Sequence, residues 1–176
     1  MNRRRDVRLR ALALTGACIV LAGAALAWYG GPGGDRAADR AAHAKSMRQA
    51  EFDTRFGQAV VMLHAKQYEH ALTALHRLLE IAPEVPEVHV NMGFALLGLG
   101  RNAAARDFFA GATALRPAQA NAYYGLAVSL DALGDRPGAL GAMRTFVHLT
   151  VPEDPWLPKA RAALWEWQSR APAAPR

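Results

Sequence analysis

An all-α array of stacked helical hairpins is the fold the sequence predicts, and three observations carry that prediction. Ala71, Ala105 and Ala139 stand 34 residues apart, each followed by larger apolar residues: Leu75 and Leu78, Phe109 and Ala112, Met143 and Phe146. A proline closes each of these segments, at Pro83, Pro117 and Pro152. Upstream, a small residue recurs at Ala59, Gly93 and Ala127, and a tight turn falls on Gly100 and Gly134. A small side chain lets two helix axes approach, the larger ones fill the space beside it, and the proline stops the helix. A composition that is 52% hydrophobic but only 8% aromatic, rich in Ala and Leu, suits closely packed helices.

Taken in chain order, residues 1–10 hold Arg3, Arg4, Arg5, Arg8 and Arg10 against Asp6, which accounts for +4 of the +6 net charge. The remainder of the chain is nearly neutral, and its repeats carry no basic stripe interleaved with aromatics, which argues against nucleic acid as a partner. From Ala11 to Tyr29 no charged residue occurs. A helix rising 1.5 Å per residue over such a stretch reaches about 30 Å, the thickness of a bilayer core. Trp28 and Tyr29 stand where interfacial aromatics belong, and the arginines mark the cytoplasmic side. Residues 11–29 are therefore expected to be a signal-anchor helix in a bacterial inner membrane, with residues 1–10 cytoplasmic and the repeats in the periplasm. Three processing alternatives stay open: cleavage at Ala25-Leu26-Ala27 before Trp28, with release to the periplasm; a lipid on Cys18; and a twin-arginine signal at Arg4-Arg5. All of them export the repeats. Cys18 is the sole cysteine, so the exported part has neither a disulfide nor thiol chemistry.

Residues 30–51 read as a linker and stalk. Gly30-Gly-Pro-Gly-Gly34 lacks the lysine and hydroxyl residue of a phosphate loop and follows no strand, so it is expected to be a flexible break. Asp35 to Phe52 favour a solvated helix with a weak apolar face. Residues 52–153 hold the three repeats. At 154–170, Asp154-Pro155 resembles a cap followed by a first-turn proline, and Leu157, Ala160, Leu164 and Trp167 recur on one face, predicting a helix over about 155–169 that covers the last hairpin. Trp156 and Trp165 fall on its other side and are read as packing residues. Residues 171–176 are a Pro- and Ala-rich tail expected to fray.

No catalytic or cofactor-binding constellation is found. His76 and Glu80 have an i, i+4 spacing open to a metal, but no third ligand is indicated, and a solvated pair is the reading. His64, His70 and His89 lack a Ser, Cys and Asp arrangement around them, and Asp53, Asp107 and Asp131 read as surface helix residues. The expectation is therefore a protein that is not an enzyme and takes no metal, cofactor or small-molecule substrate.

The 34-residue register resembles the tetratricopeptide repeat family, whose unit is a helix, a turn and a helix. The resemblance covers residues 52–153 and is fullest in the middle repeat, where Gly93, Gly100, Ala105, Phe109, Ala112 and Pro117 all fit. The first repeat departs with Arg55 at an aromatic position and Lys66 at the turn glycine; the third departs with bulky Phe146 at a small position and a proline shifted by one to Pro152. The family implies a concave groove lined by first helices, here Phe56, Val60 and Leu63, then Val90, Asn91, Phe94 and Leu97, then Asn121, Tyr124 and Val128. One branch of the family grips a terminal carboxylate with lysines and asparagines; here Phe56 and Val60 occupy two of those positions and Asn91 is the suggestive residue. An apolar lining implies a partner protein or peptide with Leu or aromatic anchors. The implied function is a non-catalytic, membrane-anchored adaptor or scaffold for a periplasmic or membrane complex. Two alternatives are an accessory subunit of a membrane enzyme or envelope machine, whose span packs through Gly23 and Ala27, and an assembly factor similar to the repeat proteins of cytochrome c maturation.

Overall fold

The structure, a computed structural model, describes residues 33–169. The expected cytoplasmic segment at 1–10, membrane helix at 11–29 and tail at 171–176 lie outside the described residues. Seven helices follow in order among the described residues: α1 Gly33–His64, α2 Tyr68–Ile81, α3 Pro86–Gly98, α4 Asn102–Leu115, α5 Ala120–Ala132, α6 Arg136–Leu149 and α7 Leu157–Ser169. There is no strand among the described residues, and none of these helices is long and apolar enough to cross a membrane.

The described residues divide between Ala50 and Glu51 into two units. In the first, α1 exposes every described side chain from Arg36 to Ala50. The helix begins at Gly33, so the last two glycines of the expected flexible break are helical.

In the second unit, α1 from Glu51 onward pairs with α2, α3 with α4, and α5 with α6, and α7 closes the end against α6. Ala71, Ala105 and Ala139 are all 0% exposed, as the close approach of paired axes requires. The core falls into three apolar clusters, of which the first and second run across the seam between repeats. Ala59, Ala71 and Leu75 meet Val88 and Met92 of the next hairpin; Val90, Ala105 and Phe109 meet Ala122; Tyr124, Ala139 and Phe146 meet Ala160 and Trp167 of α7. A hairpin therefore completes its core only with its neighbour, which is the stabilising logic of a repeat array.

Phe109 illustrates how tightly the seam is fitted. A Cβ built on Gly93 would lie 2.7 Å from its ring, and one built on Gly125 2.1 Å from it. The ring thus occupies a slot that exists only because α3 and α5 both present glycine there. Phe94 closes the side of the slot, edge-on, with ring centroids 5.0 Å apart.

The three hairpin turns are built alike. Lys66, Gly100 and Gly134 have φ of 58°, 71° and 83°, and the next residue's amide in each case donates back to a carbonyl five residues earlier: Gln67 to Met62, Arg101 to Leu96 and Asp135 to Leu130, each at 2.9 Å. This is the left-handed helix ending that glycine adopts without steric penalty. Lys66 adopts it too, although its Cβ makes that conformation costly, by roughly 1–2 kcal/mol.

At the C-terminal end, α7 starts at Leu157, two residues later than Asp154-Pro155 suggests. Pro155 and Trp156 form a turn in which Asp154 Oδ1 accepts from the Trp156 amide at 2.8 Å, while Thr150 Oγ1 donates to Asp154 Oδ2 at 2.9 Å. Leu157, Ala160 and Trp167 are buried on the last hairpin and Leu164 is half-buried. The Arg136 guanidinium stands 5.6 Å over the Trp167 ring and 2.8 Å from Asp131 Oδ1. Trp165 is not a packing residue: it is 74% exposed, because the apolar stripe of α7 is already filled by the residues spaced through Trp167; Trp156, in the turn before α7, is 52% exposed and packs one side of its ring on Tyr124.

Candidate functional site

One face of the second unit holds a cavity of about 570 Å³. Its wall begins with Leu63 and His64 at the end of α1, Lys66 of the turn, and Tyr68 at the start of α2. It continues with Asn91 and Phe94 of α3 and Asn121 and Tyr124 of α5, and is completed by Phe146 of α6 with Asp154 and Trp156 of the turn before α7. The apolar part is aromatic. Tyr124 meets Phe146 edge-on at 5.3 Å between centroids and Trp156 at 5.4 Å, and the Lys159 ammonium lies 5.3 Å from the Trp156 ring. Rings held on several sides are rigid anchors that lose little freedom when a ligand arrives.

Five of the ten expected lining residues are in this wall: Leu63, Asn91, Phe94, Asn121 and Tyr124. Four others lie outside it. Phe56 stacks on Phe52 at 6.3 Å and packs against the first core cluster, Leu97 packs on the middle cluster and Val128 on the last, and Val60 is half-buried in α1. Val90 is corrected outright: it is 1% exposed and belongs to the core with Ala105 and Phe109. The reason is that α3 touches α2, α4 and α5, so residues on more than one of its faces are covered. The two asparagines are held locally. Asn91 Nδ2 donates to the Glu87 carbonyl at 2.8 Å, and Asn121 Oδ1 accepts from Gln119 Nε2 at 2.8 Å.

Six wall residues were not anticipated: His64, Lys66, Tyr68, Phe146, Asp154 and Trp156. Two had a signal in the sequence. Lys66 and Phe146 are two of the four departures from the repeat pattern and line the cavity; the other two, Arg55 and Pro152, do not. Tyr68 is placed by Gly98, where a Cβ would come 2.4 Å from the tyrosine ring. Only glycine lets that ring lie against α3.

A second, more open depression of about 600 Å³ lies between α2 and α4, lined in part by Leu72, His76, Glu80, Ala104 and Phe108. His76 Nε2 and Glu80 Oε1 are 3.8 Å apart and both side chains are about two-thirds exposed, a solvated pair. Among the described residues no three of His, Cys, Asp and Glu are placed to hold a metal ion. The aromatic cavity contains no serine, cysteine or threonine among its lining residues, and what its surface can do is accept a side chain and a stretch of backbone from another polypeptide.

Helical hairpins stacked on a 34-residue period, with a groove across successive first helices, define the class of helical-repeat arrays. Residues 62–114 match the family model described as "Tetratricopeptide repeat", and the hairpin of α5 and α6 after them continues the array. No curated protein matches the sequence. Among solved structures, the chain is similar to the first repeat domain of Spaghetti (RPAP3) bound to the HSP90 peptide SRMEEVD, with TM-score 0.61, 18% identity and coverage of 67% of this chain and 90% of that one. It is similar to PcrH in complex with the chaperone-binding region of PopD, with TM-score 0.65, 14% identity and coverage of 69% and 94%. It is also similar to the type III secretion chaperone SycD of Yersinia enterocolitica in complex with a peptide of the translocator YopD, with TM-score 0.63, 11% identity and coverage of 68% and 94%. At these identities the similarity establishes a shared fold.

Proposed function

We propose that this chain is a non-catalytic adaptor, anchored in the bacterial inner membrane by residues 11–29, whose groove holds a segment of a partner protein on the periplasmic face. The observation that carries the binding half is the aromatic wall of Phe94, Tyr124, Phe146 and Trp156 around one cavity. Burying a single Leu or Phe side chain there is worth about 1.5–3 kcal/mol, enough for a weak, specific contact. Three neighbours of the same fold were solved with peptides or chaperone-binding segments, which supports the same use here. The anchoring half rests on the uncharged stretch from Ala11 to Tyr29 behind five arginines. Confinement to the membrane plane raises the partner's effective concentration, so a modest groove suffices.

Trp156 is half exposed, so Trp156→Ala removes a groove wall with little disturbance of the core. Cross-linking of full-length protein in native membranes is expected to recover partners with the natural chain and to lose them, by about tenfold, with the variant. Equal recovery from both would remove the groove from the mechanism. Protease accessibility of the repeats in intact spheroplasts tests the orientation; a protected domain would place them in the cytoplasm instead.

A further inference from the structure

The lysine in the first hairpin turn has no structural reason to be there. The two equivalent turns carry glycine at φ of 71° and 83°, and Lys66 is forced into the same left-handed region at φ of 58°. Strain of this kind persists where the side chain serves a purpose at a binding site. Lys66 lines the aromatic groove together with Phe94, Tyr124 and Trp156. Its ammonium has no carboxylate partner within ion-pair distance among the described residues; the nearby acid Glu69 is taken by Arg101 at 2.8 Å. The wall's one carboxylate, Asp154, has an oxygen engaged by the Thr150 hydroxyl and the other by the Trp156 amide.

From this we propose that Lys66 is a specificity residue of the groove, selecting partner segments that carry an Asp or Glu side chain beside an aromatic or leucine anchor. The inference rests on the groove reading above. It follows from charge complementarity: an uncommitted cation stands on the wall, while the carboxylate elsewhere on that wall disfavours a second acid beside it. The other ammonium near the groove, Lys159, is set over the Trp156 ring at 5.3 Å, so a partner acid is placed at Lys66, which also fixes the direction in which the segment runs.

The test is selection of phage-displayed random peptides on the full-length chain in detergent micelles, followed by binding of the selected peptides made as C-terminal amides. The expected result is a shared apolar anchor with an acidic residue at a constant offset. Lys66→Gly, which suits this turn and should leave the helical spectrum intact, is expected to weaken these peptides about three- to tenfold. Raising salt from about 50 to about 300 mM should weaken binding to the natural chain and leave the variant nearly unaffected. Peptides that depend on Trp156 but show no acidic preference, or whose acidic preference survives Lys66→Gly, would overturn this proposal and leave the groove standing. Binding that requires a free C-terminal carboxylate and ignores internal acids would overturn it as well. If no selected peptide responds to Trp156→Ala, the groove reading itself falls and this proposal with it.

Discussion

The middle repeat and the two that flank it solve different problems with the same register. In the middle, Phe109 sits between Gly93 and Gly125, the turn is Gly100, and the small position further along α4 is Ala112 at 0% exposure; none of these residues touches the groove. In the flanking repeats the corresponding pattern is broken by Lys66 at the turn and by Phe146 where the middle repeat has Ala112, and both of these face the groove. Conformity to the repeat marks packing in the middle hairpin, and two of the four departures, Lys66 and Phe146, mark the groove, whereas Arg55 and Pro152 lie outside it. Phe146 shows both at once. It is 2% exposed, packs in the cluster with Ala160 and Trp167 of α7, and still forms the floor against which Tyr124 is set.

Breaking the middle repeat should have the largest effect. Phe109→Ala leaves a cavity between two glycines that cannot refill it, and chemical denaturation is expected to show a loss of about 3–5 kcal/mol. Gly125→Ala attacks the same slot from the other side by placing a methyl 2.1 Å from the ring, and a loss of about 1–3 kcal/mol is expected by the same measurement. A change under about 0.5 kcal/mol for either would show that the seam is looser than the geometry implies. In the third repeat, Asp154→Ala removes the acceptor for the Trp156 amide and the Thr150 hydroxyl, with an expected loss of about 1 kcal/mol in thermal unfolding and a larger proportional loss of peptide capture. The smallest effect belongs to the first repeat and has the opposite sign: Lys66→Gly should raise stability by about 0.5–1 kcal/mol by releasing the left-handed strain. No gain would mean that the turn is not strained and that the lysine needs no special explanation.

Most of the fold is legible in the sequence because a 34-residue period repeats one local solution, and Ala71, Ala105 and Ala139 report it directly. About half of the groove is legible and half is not. The first-helix rule, which comes from the family resemblance, finds Leu63, Asn91, Phe94, Asn121 and Tyr124. It fails at Val90 because α3 is covered by neighbours on several sides and carries no single apolar stripe to read. It also misses Trp156 and Asp154, whose position depends on a turn folding back over the last hairpin, a long-range event with no periodicity. Reading Trp165 as a packing residue fails for a related reason: spacing identifies which side of α7 is apolar, but not that Trp167 suffices to fill it.

The ring of Phe109 touches α3 and α5 while belonging to α4. Arrays of repeats ordinarily fray one unit at a time, starting from whichever terminus is weaker. Here a single side chain is wedged into both neighbours, so α3, α4 and α5 can open only together. The part of the groove drawn from α3 and α5 thereby inherits the lifetime of the whole cooperative block, whereas Lys66 and Trp156 stand on the end units and share their fluctuations.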